Sequence, residues 1–324
     1  MSEPHKLRPS RLDGNRANSG SIELNTLMRI RSLELRARIV VEGFLTGLHR
    51  SPYHGFSVEF TEYRQYTPGD DPRYVDWRVF ARSDRYFVKR FEDETNLNCH
   101  LLVDLSRSMG FGSLAYSKAD YAVTLAATLA YFLNMQRDAV GLVTFDEEVA
   151  EYVPARYRPG HLHRLMLALD RPVRGRATNL TAPLKRIADL VRKRGLLVLI
   201  SDLLVPPDPL EVHLGYLRSR YHEVVLFQLL DPAEKNLNMA EPALFHDMET
   251  GREFYVDPAI ARGQYQSQLD GHIEAVQGAC LRQGVDYHLW TTDRPLEFAL
   301  FDYLRSRLEH GIDTRRRREA PRSG

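Results

Sequence analysis

From residue 98 onward, short apolar runs alternate with longer segments of helical periodicity, and no other feature of the chain constrains its fold as much. The runs 99–104 (CHLLVD), 139–145 (AVGLVTF), 195–200 (GLLVLI), 223–230 (EVVLFQLL) and 286–290 read as strands. The Ala- and Leu-rich segment 116–136 reads as a helix, as do 162–169, 183–193, 208–219, 258–283 and 295–309. Strands joined through helices do not form hairpins; they lie parallel, with helices covering both faces of the sheet. Residues 148–153 fit an edge strand, and 245–256 fit an inserted hairpin turning at Glu249-Thr250-Gly251. The fold expected over 97–310 is therefore α/β, a doubly wound, mostly parallel sheet of Rossmann type.

The first third of the chain is patterned differently. Residues 1–20 are polar and rich in Arg, Asn, Ser and Gly, and are expected to be disordered. Leu24, Leu27, Ile30, Leu33, Ile39 and Val40 fall near helical spacing with arginines between them, which predicts one amphipathic helix over 21–47. Residues 56–60 (FSVEF) and 86–91 (YFVKRF) read as strands, with a PGDDP turn at 68–72 between them. Region 21–96 is too short for a large core of its own and is expected to pack on the main domain as a small α+β extension. The segment 311–324, with Arg315 to Arg318 in succession, reads as a solvated, disordered basic tail.

Charge and composition exclude several classes of function. The 324 residues carry 44 Lys plus Arg against 43 Asp plus Glu, a net charge of +1, so no overall field draws the chain to nucleic acid or an anionic membrane. The longest uncharged apolar stretch, 121–136, has 16 residues, where a bilayer needs about 20. The opening MSEPHKLRPS lacks the apolar centre of a signal peptide. Cys99 and Cys280 are too few for a disulfide framework or a cysteine-rich zinc site, and read as small buried hydrophobes. The expected location is the cytoplasm.

In an open parallel sheet, ligands bind beyond the carboxyl ends of the strands. Three polar segments are expected at that edge: 104–109 (DLSRSM) after the first strand, Thr178-Asn179 before the helix at 183–193, and Ser201-Asp202 after GLLVLI. Their carboxylates and hydroxyls are hard oxygen donors suited to Mg²⁺, with Mn²⁺ or Ca²⁺ as alternatives. Ser and Thr also cap turns and helix ends, so one such segment alone would carry little weight; three at one edge favour a cation. No phosphate loop, H-E-x-x-H or G-x-S-x-G occurs, and no general base stands out, so no catalytic residue is assigned. Gly110-Phe111-Gly112 reads as a flexible loop, and His161 and His163 as surface or capping residues. Asp70, Asp71 and Asp76 read as partners of nearby arginines such as Arg64 and Arg73, and Trp77 as packing.

The segment Asp104-Leu105-Ser106-Arg107-Ser108-Met109 resembles the D-x-S-x-S motif that opens the metal-ion-dependent adhesion site of von Willebrand factor A domains. Thr178 and Asp202 match the Thr and Asp which that family takes from two further loops. The stretch 63–77 (YRQYTPGDDPRYVDW) is similar to the signature of the bacterial family called domain of unknown function 58, which carries an A-type domain downstream. The resemblance implies a Mg²⁺ site of Asp104, Ser106, Ser108, Thr178 and Asp202, with Thr178 entering when ligand binds and Asp202 acting mainly through water. Two places depart from the family pattern. Gly175-Arg176-Ala177-Thr178 stands where glycines beside the Thr are commoner, and Asp202-Leu203 stands where many A domains have Asp-Gly. The resemblance further implies a non-enzymatic adaptor in which a partner's acidic residue completes the cation's shell, working beside a MoxR-type AAA+ ATPase in complex maturation. The alternative from another class is a metal-dependent hydrolase, a phosphatase or nuclease, using the same carboxylates.

Overall fold

The computed structural model describes residues 23–50, 63–65, 87–89, 98–170, 180–237, 242–246 and 252–304. The expected strand at 56–60, the turn at 68–72, the hairpin turn at 249–251 and both terminal segments lie outside them, as do Asp70, Asp71, Asp76, Trp77, Arg176 and Thr178.

Six strands form the main sheet: β3 (Asn98–Asp104), β4 (Ala139–Phe145), β5 (Val149–Arg156), β6 (Leu196–Ser201), β7 (Glu223–Leu230) and β10 (Asp286–Thr291). Their order is β10-β7-β6-β3-β4-β5, and all neighbours are parallel except the edge pair β4 and β5. Two small antiparallel pairs stand apart from this sheet. One joins β1 (Tyr63–Gln65) to β2 (Phe87–Lys89), and the other joins β8 (Ala243–His246) to β9 (Glu253–Val256). The hairpin was expected from the sequence; β1 was not, because its three residues fall between the strand expected at 56–60 and the turn at 68–72.

Alternating side chains of each parallel strand enter two separate cores, which is why these strands read as continuous apolar runs. Cys99, Leu101 and Val103 of β3 and Leu196, Val198 and Ile200 of β6 face one core. Its cover includes α2 (Leu33–Arg50), α3 (Lys118–Met135), α4 (His161–Leu169) and the last helix, α9 (297–304). Leu102, Leu197 and Leu199 face the other core, beneath α5 (Thr181–Leu190), α6 (Pro207–Ser219) and α8 (Pro258–Gln283). Helices that follow β3 and β6 thus lie on opposite faces. The chain reverses its winding direction between these two strands, the place where open sheets of this kind form a crevice at their carboxyl ends.

The helix expected over 21–47 is two helices. A short α1 (Leu24–Met28) ends near Arg29, and Ser32 starts α2 by accepting the Leu35 N–H at its hydroxyl, 3.3 Å, and the Arg36 N–H at its carbonyl, 3.0 Å. A serine cap inside an otherwise helical apolar pattern sets that break. His161 is also corrected: it is buried, with its Nε2 2.7 Å from the Val140 carbonyl oxygen, so it ties α4 to β4, whereas His163 is exposed. Cys99 and Cys280 are both buried, as expected. None of the described helices is long and apolar enough to cross a membrane.

Candidate functional site

Asp104 and Ser201 end the two strands that border the crevice, and the parallel register sets them side by side, with Val103 opposite Ile200. Asp104 is fully buried. Its Oδ1 accepts the Ser106 N–H at 2.9 Å, and its Oδ2 accepts the Ser201 hydroxyl. Burial above all, and then the nearby negative charge of Asp202, push the Asp104 carboxyl up to about 7, although the Ser201 and Ser106 donors oppose the shift. A single 3₁₀ turn, Arg107–Gly110, follows and brings Ser106 Oγ and Ser108 Oγ to 3.2 Å from each other.

Gly110 and Gly112 do not use the unusual backbone angles that glycine permits. Neither has a positive φ. Gly112 is required by close approach, since a Cβ there would stand 2.4 Å from the Tyr116 carbonyl oxygen. The loop is folded tightly onto the start of α3, where Ser117 and Asp120 form a reciprocal capping box.

The third loop is held as firmly. Ser201 Oγ, while donating to Asp104, accepts the Leu203 N–H at 3.1 Å. The buried Gln228 side chain donates to the Asp202 carbonyl at 2.9 Å and accepts the Tyr287 hydroxyl at 2.6 Å. Leu203 takes φ = 53°, in the left-handed region, and its side chain is fully buried. This accounts for the departure noted in the sequence: a glycine would meet that backbone demand without cost, whereas here a leucine anchored in the core holds it.

The Asp202 carboxylate does not lie open. Its Oδ2 accepts from Lys118 Nζ at 2.9 Å, and the same ammonium donates to Glu234 Oε1 at 2.6 Å. Lys118 and Asp202 are wholly buried and Glu234 is partly buried. Burial pulls the Lys118 ammonium down most strongly, but Asp202 and Glu234 together carry it above its ordinary value. For Glu234, burial outweighs the attraction of Lys118 and raises the carboxyl. Glu234 belongs to α7 (Pro232–Asn236), where its Oε2 accepts the Asp231 N–H at 2.9 Å. Asp231 in turn accepts the Ser113 N–H at 2.9 Å and the Ser113 hydroxyl, which ties the loop after β7 to the loop after β3.

Of the five residues expected to form a metal site, Asp104, Ser106 and Ser108 converge, Asp202 lies close by but faces Lys118, and Thr178 lies outside the described residues. Among the described residues no three His, Cys, Asp or Glu side chains converge as a metal cluster, so any cation here depends on hydroxyl donors. The hydroxyls fit that task. Neighbouring ligands of an octahedral Mg²⁺, each about 2.1 Å from the ion, lie about 3 Å apart, close to the separation of the two serine oxygens. Lys118, Asp231 and Glu234 were not among the expected site residues, and Ser201 was expected at this edge but not as a ligand. Asp231 was legible in principle, because it is a carboxylate directly after an apolar strand, like Asp104.

Fold and site together define a doubly wound α/β protein with a polar centre at its carboxyl edge. The family model described as "Protein of unknown function DUF58" matches residues 62–275, and the chain belongs to this family. An uncharacterized protein of Mycobacterium bovis is 32% identical over 236 residues, covering 71% of this chain and 74% of the relative. Among solved structures, an aerotolerance-related membrane protein from Bacteroides fragilis is similar at 14% identity and a TM-score of 0.44, covering 63% of this chain and 96% of that one. The SpRpn10 VWA domain is similar at 13% identity and a TM-score of 0.39, covering 63% and 93%.

Proposed function

We propose that this chain is a cytoplasmic, non-enzymatic protein-binding adaptor whose carboxyl-edge site takes an acidic side chain of a partner with the help of a divalent cation. Mg²⁺ is the first candidate, and Mn²⁺ or Ca²⁺ are alternatives. The observation that carries this reading is the pair of serine oxygens 3.2 Å apart beside a buried carboxylate. Asp104, Ser106 and Ser108 would hold the ion, with Thr178 and Asp202 as the further donors that the motif implies. When bound, the cation supplies attraction for a partner's Glu or Asp. The chain's own part is to offer few anionic donors, so that positions held by water stay exchangeable, and to fix their directions through Ser201 and the Ser106 N–H. A MoxR-type AAA+ ATPase is the class of partner we propose from the family resemblance, and complex maturation is the shared task.

Calorimetric titration of the full chain with Mn²⁺, followed by binding of a purified MoxR-type ATPase at constant Mg²⁺, tests this. Asp104→Ala is expected to weaken both by at least about ten-fold. Holding Mg²⁺ constant keeps the nucleotide state of the ATPase the same in both arms. Equal ATPase binding by the two forms rejects metal-assisted docking. Mg²⁺-dependent hydrolysis of a phosphoester that vanishes in Asp104→Ala reverses the reading in favour of a hydrolase.

A further inference from the structure

We infer that Lys118 is a resident cation of this site and sets how strongly a divalent ion is held, by withholding Asp202. The inference rests on the proposed cation site and deepens it. Lys118 is the first residue of α3, and nothing in helix chemistry asks for a cation there. A positive charge in the first turn opposes the helix dipole, and the capping role is already filled by Ser117 and Asp120. An ammonium with no solvent exposure is costly unless paired, and its pairing partners define its role. They are Asp202, 84 residues away in sequence, and Glu234, 116 residues away.

The ammonium cannot swing aside easily. The Phe111 ring lies 5.9 Å away, and Glu234 is fixed from behind by the Asp231 N–H, which Ser113 anchors through Asp231. Asp202 Oδ2 therefore points at Lys118, and the charge that the third loop would offer to a divalent ion is already offset. With Asp202 engaged, direct coordination falls to the loop that holds Asp104, Ser106 and Ser108. Lys118 is a positioning residue here: it acts on a cation through Asp202.

The test is Mn²⁺ affinity of the full chain, measured by calorimetry and by electron paramagnetic resonance of free Mn²⁺. Lys118→Met alone leaves two carboxylates without their shared cation, so it is combined with Glu234→Gln, which keeps the net charge of the wild type. The double variant is expected to bind Mn²⁺ at least five-fold more tightly, because Asp202 is released. A merely structural role for Lys118 gives a loss or no change, never a gain. Asp202→Asn added to the double variant provides a second readout. It is expected to remove the gain, and a triple variant that keeps the full five-fold gain overturns the inference. Wild type that binds Mn²⁺ beside a double variant that binds no tighter also overturns it, while leaving the cation site standing. Binding by the double variant alone upholds Lys118 as the withholding group and rejects a cation site in the wild type; binding by neither overturns both.

Discussion

A carboxylate with no solvent exposure, such as Asp104, is comfortable in its charged form only while donors or cations face it. Two hydrogen bonds are not enough, since burial and Asp202 hold the group up to about 7. An acid whose folded value lies above its unfolded value near 4 binds more protons when folded, so its contribution to stability is complete below about pH 4 and is lost as pH rises through 7. Asp104→Asn removes that loss while preserving shape. In chelator, the variant is expected to melt somewhat above wild type at pH 5 and several degrees higher still at pH 8, the gap widening by on the order of 3 kcal/mol. Excess Mg²⁺ is expected to narrow the gap at pH 8 by stabilising only the wild type. A melting difference that is the same at both pH values removes the charge of Asp104 as the cause. On the proposed cation-binding reading, Asp104 is then a ligand that the metal-free fold would be more stable without.

Between residues and domain, the connection from β6 to α6 shows how an element end is specified by more than its local sequence. Leu203 holds a left-handed backbone that costs a non-glycine residue about 1–2 kcal/mol. Its compensation is a fully buried side chain, an N–H bonded to Ser201, and a carbonyl that accepts from the His272 ring at 2.8 Å. Truncating the side chain loses the burial in either case, but only alanine keeps the strain. Leu203→Gly is therefore expected to be more stable than Leu203→Ala by about 1 kcal/mol in chemical denaturation, the reverse of the usual order. Equal or opposite ranking would show that the left-handed turn is not what Leu203 maintains. The same connection marks where sequence reading stops. The parallel strands were legible because each is a continuous apolar run, and Asp104, Ser106 and Ser108 were legible because they share one tight loop. The break at Ser32 and the five-residue helix α7 were not, since each depends on a cap that a periodic pattern does not register. Lys118 was invisible as a site residue because its partners stand more than eighty positions away.

At the scale of the whole molecule, the helix that carries Lys118 and the cap next to the site is supported from behind by the N-terminal helix. Leu33, Ala37, Val40, Val41 and Phe44 of α2 are all buried, at the i, i+4, i+7, i+8, i+11 positions of one helical face. Phe44 meets Phe132 of α3 edge-on at 5.9 Å and Phe301 of α9 at 4.6 Å, and Arg36 donates to Thr124 of α3 at 2.8 Å. Burying the four larger of those apolar side chains contributes on the order of 10 kcal/mol, as much as the entire net stability of an ordinary domain. The alternating strand–helix region that begins at residue 98 therefore lacks part of its own cover. A fragment spanning 98–310 is expected to show no cooperative melt and to bind hydrophobic dyes. A separate peptide of residues 23–50 is expected to restore the transition, and the same peptide with Phe44→Ala to need at least ten-fold more to do so, given a loss of about 3–5 kcal/mol for a buried Phe→Ala change. A fragment that melts alone with the cooperativity of the full chain would mean that α2 merely rests on the domain; rescue by the peptide makes the helix a structural part of the domain that positions Asp104, Lys118 and Asp202.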